Sequence, residues 1–163
     1  MSKESLDLTA SHLADLTIPI AGELFGKPFT GVAYVADSTR QQEWQDRLSK
    51  SADAIAKVGA ENPDGLELSG EMLDKQLAEI KAIRESQDEV EDEQFLSMIK
   101  SWDVTDGDEP LPCDKKGLKR LRQSEVVIQG QPLYYWVVMA YLRARAESIS
   151  GGIRFPKSKT EKN

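Results

Sequence analysis

The chain has 163 residues, 39% hydrophobic, 30% charged and only 7% aromatic, with 21 Lys and Arg against 28 Asp and Glu for a net charge of -7. That length suits one ordinary domain of about 100–200 residues. A single cysteine, Cys113, excludes an internal disulfide framework and a Cys-cluster zinc site, and a single histidine, His12, leaves little for His-based catalysis.

No apolar run reaches the roughly 20 residues that span a bilayer, and Lys3, Glu4 and Asp7 are unlike a secretory leader, so an intracellular, non-membrane, non-enzymatic protein is expected. Charge is unevenly spread. Residues 61–96 hold 3 basic and 12 acidic side chains, whereas residues 113–163 hold 11 basic and 4 acidic. An acidic middle and a basic end can attract each other or steer different partners.

In chain order, Leu16, Ile18 and Ile20 alternate with Asp15, Thr17 and Pro19, the period of a half-buried strand. Pro19 cannot donate to a ladder and predicts a sheet edge. Gly22, Gly26 and Pro28 then predict a longish loop, and Val32–Ala36 a second strand. Ser38-Thr39-Arg40-Gln41 has a capping-box pattern and opens a helix containing Trp44, Leu48, Ile55 and Val58.

Asn62-Pro63-Asp64-Gly65 breaks that helix, and Ser69 caps the next, with Leu73, Leu77, Ile80 and Ile83 at helical spacing. Glu71–Lys75 and Lys81–Glu85 are opposite-charge pairs four apart. Ser86-Gln87-Asp88-Glu89 allows a separate third helix, against one long helix from about 70 to 101. Asp103–Pro112 reads as a polar loop, and Asp114 caps a short basic helix that buries Leu118 and Leu121. Pro132 suits the first position of a final helix over about 133–148, which Gly151-Gly152 ends. The expected fold is therefore α+β and mostly helical: an N-terminal hairpin over about 15–36, then a bundle of four to five helices, all in a single domain over residues 1–150. Residues 151–163 read as a disordered basic tail.

Few residues suggest chemistry. His12 and Cys113 lie far apart without a nucleophile signature. Asp103, Thr105, Asp106, Asp108 and Glu109 have the composition of a calcium loop, but Gly107 falls at loop position 5, where a ligand is needed. No metal and no cofactor are expected. The six carboxylates of Glu85–Glu93 suit a solvated helix face first, and a docking surface or nucleic-acid mimic second. Lys115, Lys116, Lys119, Arg120 and Arg122 lack interleaved aromatics, so no nucleic acid is expected there.

The most informative segment is Leu133–Leu142, ten apolar or aromatic residues in succession. A helix apolar on every side is either a central core helix or one that leaves a face, with Tyr134, Val138 and Tyr141, for a partner. Arg143 and Arg145 would then form a polar rim.

From Trp102 onward a resemblance emerges. An apolar helix, its face formed by Val90, Phe95, Met98, Ile99 and Trp102 and its end by Ile99-Lys100-Ser101-Trp102-Asp103, leads into Val104-Thr105-Asp106-Gly107-Asp108-Glu109-Pro110-Leu111-Pro112, then a capped short helix and a hydrophobic final helix. This order resembles the tail assembly chaperones of long-tailed bacteriophages and prophages, with Ser101 where a Gly often precedes the Trp and Cys113 where a small polar residue is usual. The looser N-terminal likeness rests on Thr17-Ile18-Pro19-Ile20, Val32–Ala36 and Ser38-Thr39. The resemblance implies a non-catalytic chaperone that binds the tape-measure protein, helps recruit tail-tube subunits, acts in the host cytoplasm and is absent from the mature virion. It also implies, for many members, a longer form made by frameshifting. Trp102, Tyr134, Trp136, Val138 and Tyr141 are the expected partner-binding residues, since aromatics dominate binding hot spots; self-association stays open. A structural minor tail or connector protein and an acidic DNA-mimic inhibitor are the alternative readings.

Overall fold

The computed structural model describes residues 9–60 and 70–152. The Asn62–Gly65 break, the Ser69 cap and the tail beyond 152 lie outside the described residues, as do the side chains of His12 and Glu71. The chain is α+β and mostly helical, as its patterning indicates, with five helices among the described residues. Contacts divide the chain into two compact units. The sheet unit holds the described residues up to Asp37 and from Leu96 onward, and the helical unit is Ser38–Phe95.

In the sheet unit a short helix α1 (Ala10–Asp15) precedes β1 (Thr17–Leu24) and β2 (Lys27–Tyr34). These strands pair antiparallel in unbroken register from Thr17 opposite Tyr34 to Leu24 opposite Lys27. The connection is thus only Phe25-Gly26, not the longish loop that Gly22, Gly26 and Pro28 suggested. Both turn residues have positive φ, 52° and 77°, the backbone of a tight hairpin turn whose twist matches its strands. Gly22 and Pro28 lie within the ladder.

A third strand, β3 (Ile99–Trp102), adds beside β2 in the order β1-β2-β3, with a register shift between Val32 and Ala33. The apolar helical pattern around residue 95 reads straight through Ile99, but pairing with β2 captures these residues instead. β1 is left at the edge, as Pro19 predicted. Val35 N–H bonds the Leu16 carbonyl at 2.9 Å, so the even positions of β1 face β2 and the backbone of Thr17, Pro19, Ala21 and Glu23 faces outward. The missing Pro19 donor therefore leaves the existing ladder intact.

Asp103–Pro112 is a minimal hairpin rather than a loop, β4 (Thr105–Asp106) with β5 (Glu109–Pro110). Helix α4 (Lys115–Arg122) follows, its start capped by Asp114, which accepts from the Gly117 amide at 2.9 Å. A Cβ on Gly117 would overlap the Pro112 carbonyl oxygen, so only glycine allows this helix to fold back so closely. Hairpin β6 (Val127–Ile128) and β7 (Gln131–Pro132) leads directly into α5 (Leu133–Gly152). Pro132 pairs with Val127 in β7 instead of opening the helix. Helix α5 packs chiefly against β1, and the core of this unit gathers Ile20, Ala33, Ile99, Leu118, Val137 and Tyr141.

The helical unit contains α2 (Gln41–Ala60) and most of α3 (Gly70–Met98). Ser38 Oγ accepts from the Arg40 amide at 3.1 Å just ahead of α2. Helix α3 is continuous, because Ser86-Gln87-Asp88-Glu89 carries no glycine or proline to stop it. The buried Trp44 indole donates to Glu93 at 2.9 Å.

Candidate functional site

Helix α5 decides which aromatic side chains are available. Tyr134, Val137, Tyr141 and Ala144 recur at three- and four-residue steps and form one buried stripe. Tyr141 is 2% exposed, its ring 4.4 Å from that of Phe29 and 5.9 Å from that of Trp102. Its hydroxyl donates to Asp103 Oδ1 at 2.9 Å and lies 3.2 Å from the Thr30 carbonyl. Asp103 also accepts from the Thr30 amide at 3.0 Å and the Thr30 hydroxyl at 3.1 Å.

These bonds tie the chain after β3 to β2 and fix two protonation states. Burial alone would raise the Asp103 carboxyl, but the donors from Thr30 and Tyr141 outweigh it and hold it below its ordinary range. Burial first, and the bond to Asp103 second, push the Tyr141 phenol well above its ordinary value. The pair is a neutral phenol donating to an ionised carboxylate.

The other expected partner residues are placed differently. Tyr134 is buried, with the Arg122 guanidinium 3.7 Å from its ring centre. Trp102 is half-buried and donates to the Leu111 carbonyl at 2.7 Å, fastening the β4–β5 hairpin over α4. Trp136 is half-buried and donates to the Ile128 carbonyl at 3.0 Å, and Val138 is half-buried. The structure thus turns Tyr134 and Tyr141 inward, because they share the stripe that covers the sheet. Arg145 joins no rim either. Its guanidinium reaches the Tyr34 carbonyl at 2.8 Å, the Val35 carbonyl at 3.2 Å and Asp37 at 2.9 Å, tying down the end of β2. Arg143 is exposed and pairs with Glu147 one turn on.

The exposed apolar surface lies elsewhere on the same unit. Tyr135 and Met139 point outward from α5, and Phe25 stands 55% exposed at the β1–β2 tip, its ring 5.7 Å from that of Trp136. A concavity of about 460 Å³ runs between Gly22, Leu24 and Phe29 of the hairpin and the α5 stripe Trp136, Met139, Ala140, Arg143, Ala144 and Glu147. A second, of about 430 Å³, shares Leu24 and Phe29 and adds Phe25, Val104, Tyr141, Asp103 and Lys27. Phe25 was not singled out from the sequence. The signal was there, in a large residue directly before Gly26 between two β-prone runs. A non-glycine residue in the left-handed region costs roughly 1–2 kcal/mol, and Asn or Gly would fill that turn position with less strain.

The remaining candidates serve the fold. Burial, then the neighbouring Asp114 charge, raises the Cys113 thiol to about 11, so it stays protonated at neutral pH, and its sulfur lies 3.9 Å from the Ile99 carbonyl. Asp106 bonds Arg120 at 2.8 Å rather than joining a calcium loop. Among the described residues no group of three or more His, Cys, Asp and Glu is placed to hold a metal ion. The Glu85–Glu93 run is not uniformly solvated: Asp92 is buried, and Glu93 receives Trp44, Arg47 at 3.3 Å and Arg40 at 3.4 Å. No helix among the described residues is long and apolar enough to cross a membrane. Comparisons with protein-family models, curated proteins and solved structures return no match.

Proposed function

We propose that this chain is a non-catalytic assembly chaperone of the phage tail class, which holds the tape-measure protein in soluble form, recruits tail-tube subunits in the host cytoplasm and is absent from the finished particle. The observation that carries this reading is the concave apolar surface beside the β1–β2 hairpin, with Phe25, Tyr135 and Met139 exposed around it. Exposed apolar surface rimmed by polar residues marks sites of protein association. A tape-measure protein is long and helical, and such a client calls for a surface that accepts a helix. The Trp102 fastening and the Asp114 cap join the elements whose order carries the family resemblance.

Co-expression with the tape-measure protein encoded in the same genome is the direct test. A soluble complex is expected, with aggregation of the tape-measure protein when this chain is omitted. Mass spectrometry of purified particles separates the structural reading, since a retained minor tail protein appears there at fixed stoichiometry. The same experiment run without any tape-measure gene nearby has no partner to find, which would sink the proposal.

A further inference from the structure

Two hairpin tips of this unit have nearly the same backbone and opposite chemistry. Phe25-Gly26 has φ of 52° and 77°, and Gln129-Gly130 has 48° and 77°. A polar amide at the first position serves a surface turn. Phe25 occupies that strained position with more than half of its surface in solvent, so the requirements of the turn do not explain it. Its ring stands against Trp136 at the junction of the two concavities.

We infer that Phe25 and Asp103 form the recognition end of this surface, and that its occupant is an amphipathic helix of a partner protein carrying one arginine or lysine that reaches Asp103.

The occupant is a helix rather than an added strand. The outward backbone positions of β1 include Pro19, which interrupts the row of donors an incoming strand needs. The α5 stripe from Trp136 to Glu147 repeats at three- and four-residue steps and is about 16 Å long, the length of three helical turns. The charge follows from the lining. The first concavity is lined by Glu23 and by Arg143 and Glu147, which pair with each other, and the second by Asp103 and Lys27, so the two together carry one more acid than base. Among the described residues Asp103 Oδ2 accepts the Thr30 hydroxyl, which leaves it capacity for a further donor, and Phe25 and Phe29 offer ring surface to the stem of a basic side chain.

This inference names the partner chemistry of the surface on which the proposed chaperone function rests. Its test uses the full chain and a panel of synthetic 20-residue amphipathic helices, with arginine stepped along the apolar face and a glutamine twin for each, titrated by fluorescence anisotropy. The best arginine peptide is expected to bind at least tenfold tighter than its glutamine twin. Phe25→Asn is expected to weaken it at least tenfold while leaving the unfolding midpoint equal or higher, and Asp103→Asn to abolish the arginine preference. If Asp103→Asn does not fold, the arginine–glutamine comparison on the unaltered protein decides the charge. Equal binding of the twins, no binding by any peptide, or unchanged affinity in Phe25→Asn overturns the inference. Tape-measure capture that persists in Phe25→Asn overturns this inference alone. Arginine-dependent peptide binding with no tape-measure capture overturns the chaperone reading alone.

Discussion

Tyr141 and Met139 are two residues apart on the same helix, in the same unbroken apolar run, and their surroundings differ completely. Tyr141 is enclosed by Phe29, Trp102, Thr30 and Asp103, whereas Met139 is 46% exposed and lines a groove. Helix α5 therefore has two apolar faces in different surroundings. The inward stripe of Tyr134, Val137, Tyr141 and Ala144 fastens the helix to the sheet. The outward residues Tyr135 and Met139 contribute little to that packing and leave apolar area in solvent. Side chains of one chemical class divide between buried and exposed surroundings by their angle on the helix alone.

Truncating the inward face should have the largest effect. Tyr141→Ala removes a buried aromatic together with the hydroxyl that bridges Asp103 and Thr30, and is expected to cost about 3–5 kcal/mol by urea unfolding. Val137→Ala removes a smaller buried side chain and should cost about 1.5–3 kcal/mol. Equal, small losses at both positions would dissolve the distinction between the two faces.

How much of this could be read in advance differs element by element. The turn at Ser38 just ahead of α2, the Asp114 cap and the edge character of β1 follow from residues whose chemistry is local: a short polar side chain that accepts an amide, and a proline that cannot donate. The strand at Ile99–Trp102 was hidden because Ile99, Lys100, Ser101 and Trp102 continue a helical apolar pattern, and only the backbone of β2, some 70 residues away, offers them a ladder. The possible break at Ser86 failed for the converse reason, since a capping pattern with no breaker before it does not stop a helix already under way. At the candidate site, Trp136 could be read as an aromatic on the right helix. The division between Tyr141 and Met139 could not, because a run that is apolar on every side carries no periodicity to mark the buried face. Phe25 is obscured in the sequence, because Gly22, Gly26 and Pro28 together indicate a longer loop than the two-residue turn the chain makes.

The bonds holding the inward face also predict a stability window in pH. Asp103 is held below its ordinary carboxylate value, so its contribution is fully present above about pH 4 and is lost as pH falls through the lower folded value. The Tyr141 phenol is pushed upward, so its contribution is present below about pH 10 and declines as pH rises beyond it. Urea midpoints measured across pH should fall at both ends, with Tyr141→Phe flattening the alkaline limb. An alkaline limb unaltered in Tyr141→Phe would assign that loss to other groups.

The smallest effect on stability is expected on the outward face, and it should come with the clearest effect on association. Met139→Lys places a charge where the side chain is already 46% exposed, so no buried partner is lost and the change in unfolding free energy should stay within about 0.5 kcal/mol. The same charge lies on the apolar part of the groove, between Leu24, Phe29, Trp136 and Ala140 and apart from the Arg143–Glu147 pair, and a docked helix would have to desolvate it. Capture of the tape-measure protein should therefore fall sharply in a variant whose urea curve overlays the parent. A destabilised Met139→Lys would place Met139 in the packing that Tyr141 serves. A stable variant with undiminished capture would move the docking surface off α5. Only the combination of intact fold and lost capture fits a helix whose opposite faces serve folding and association.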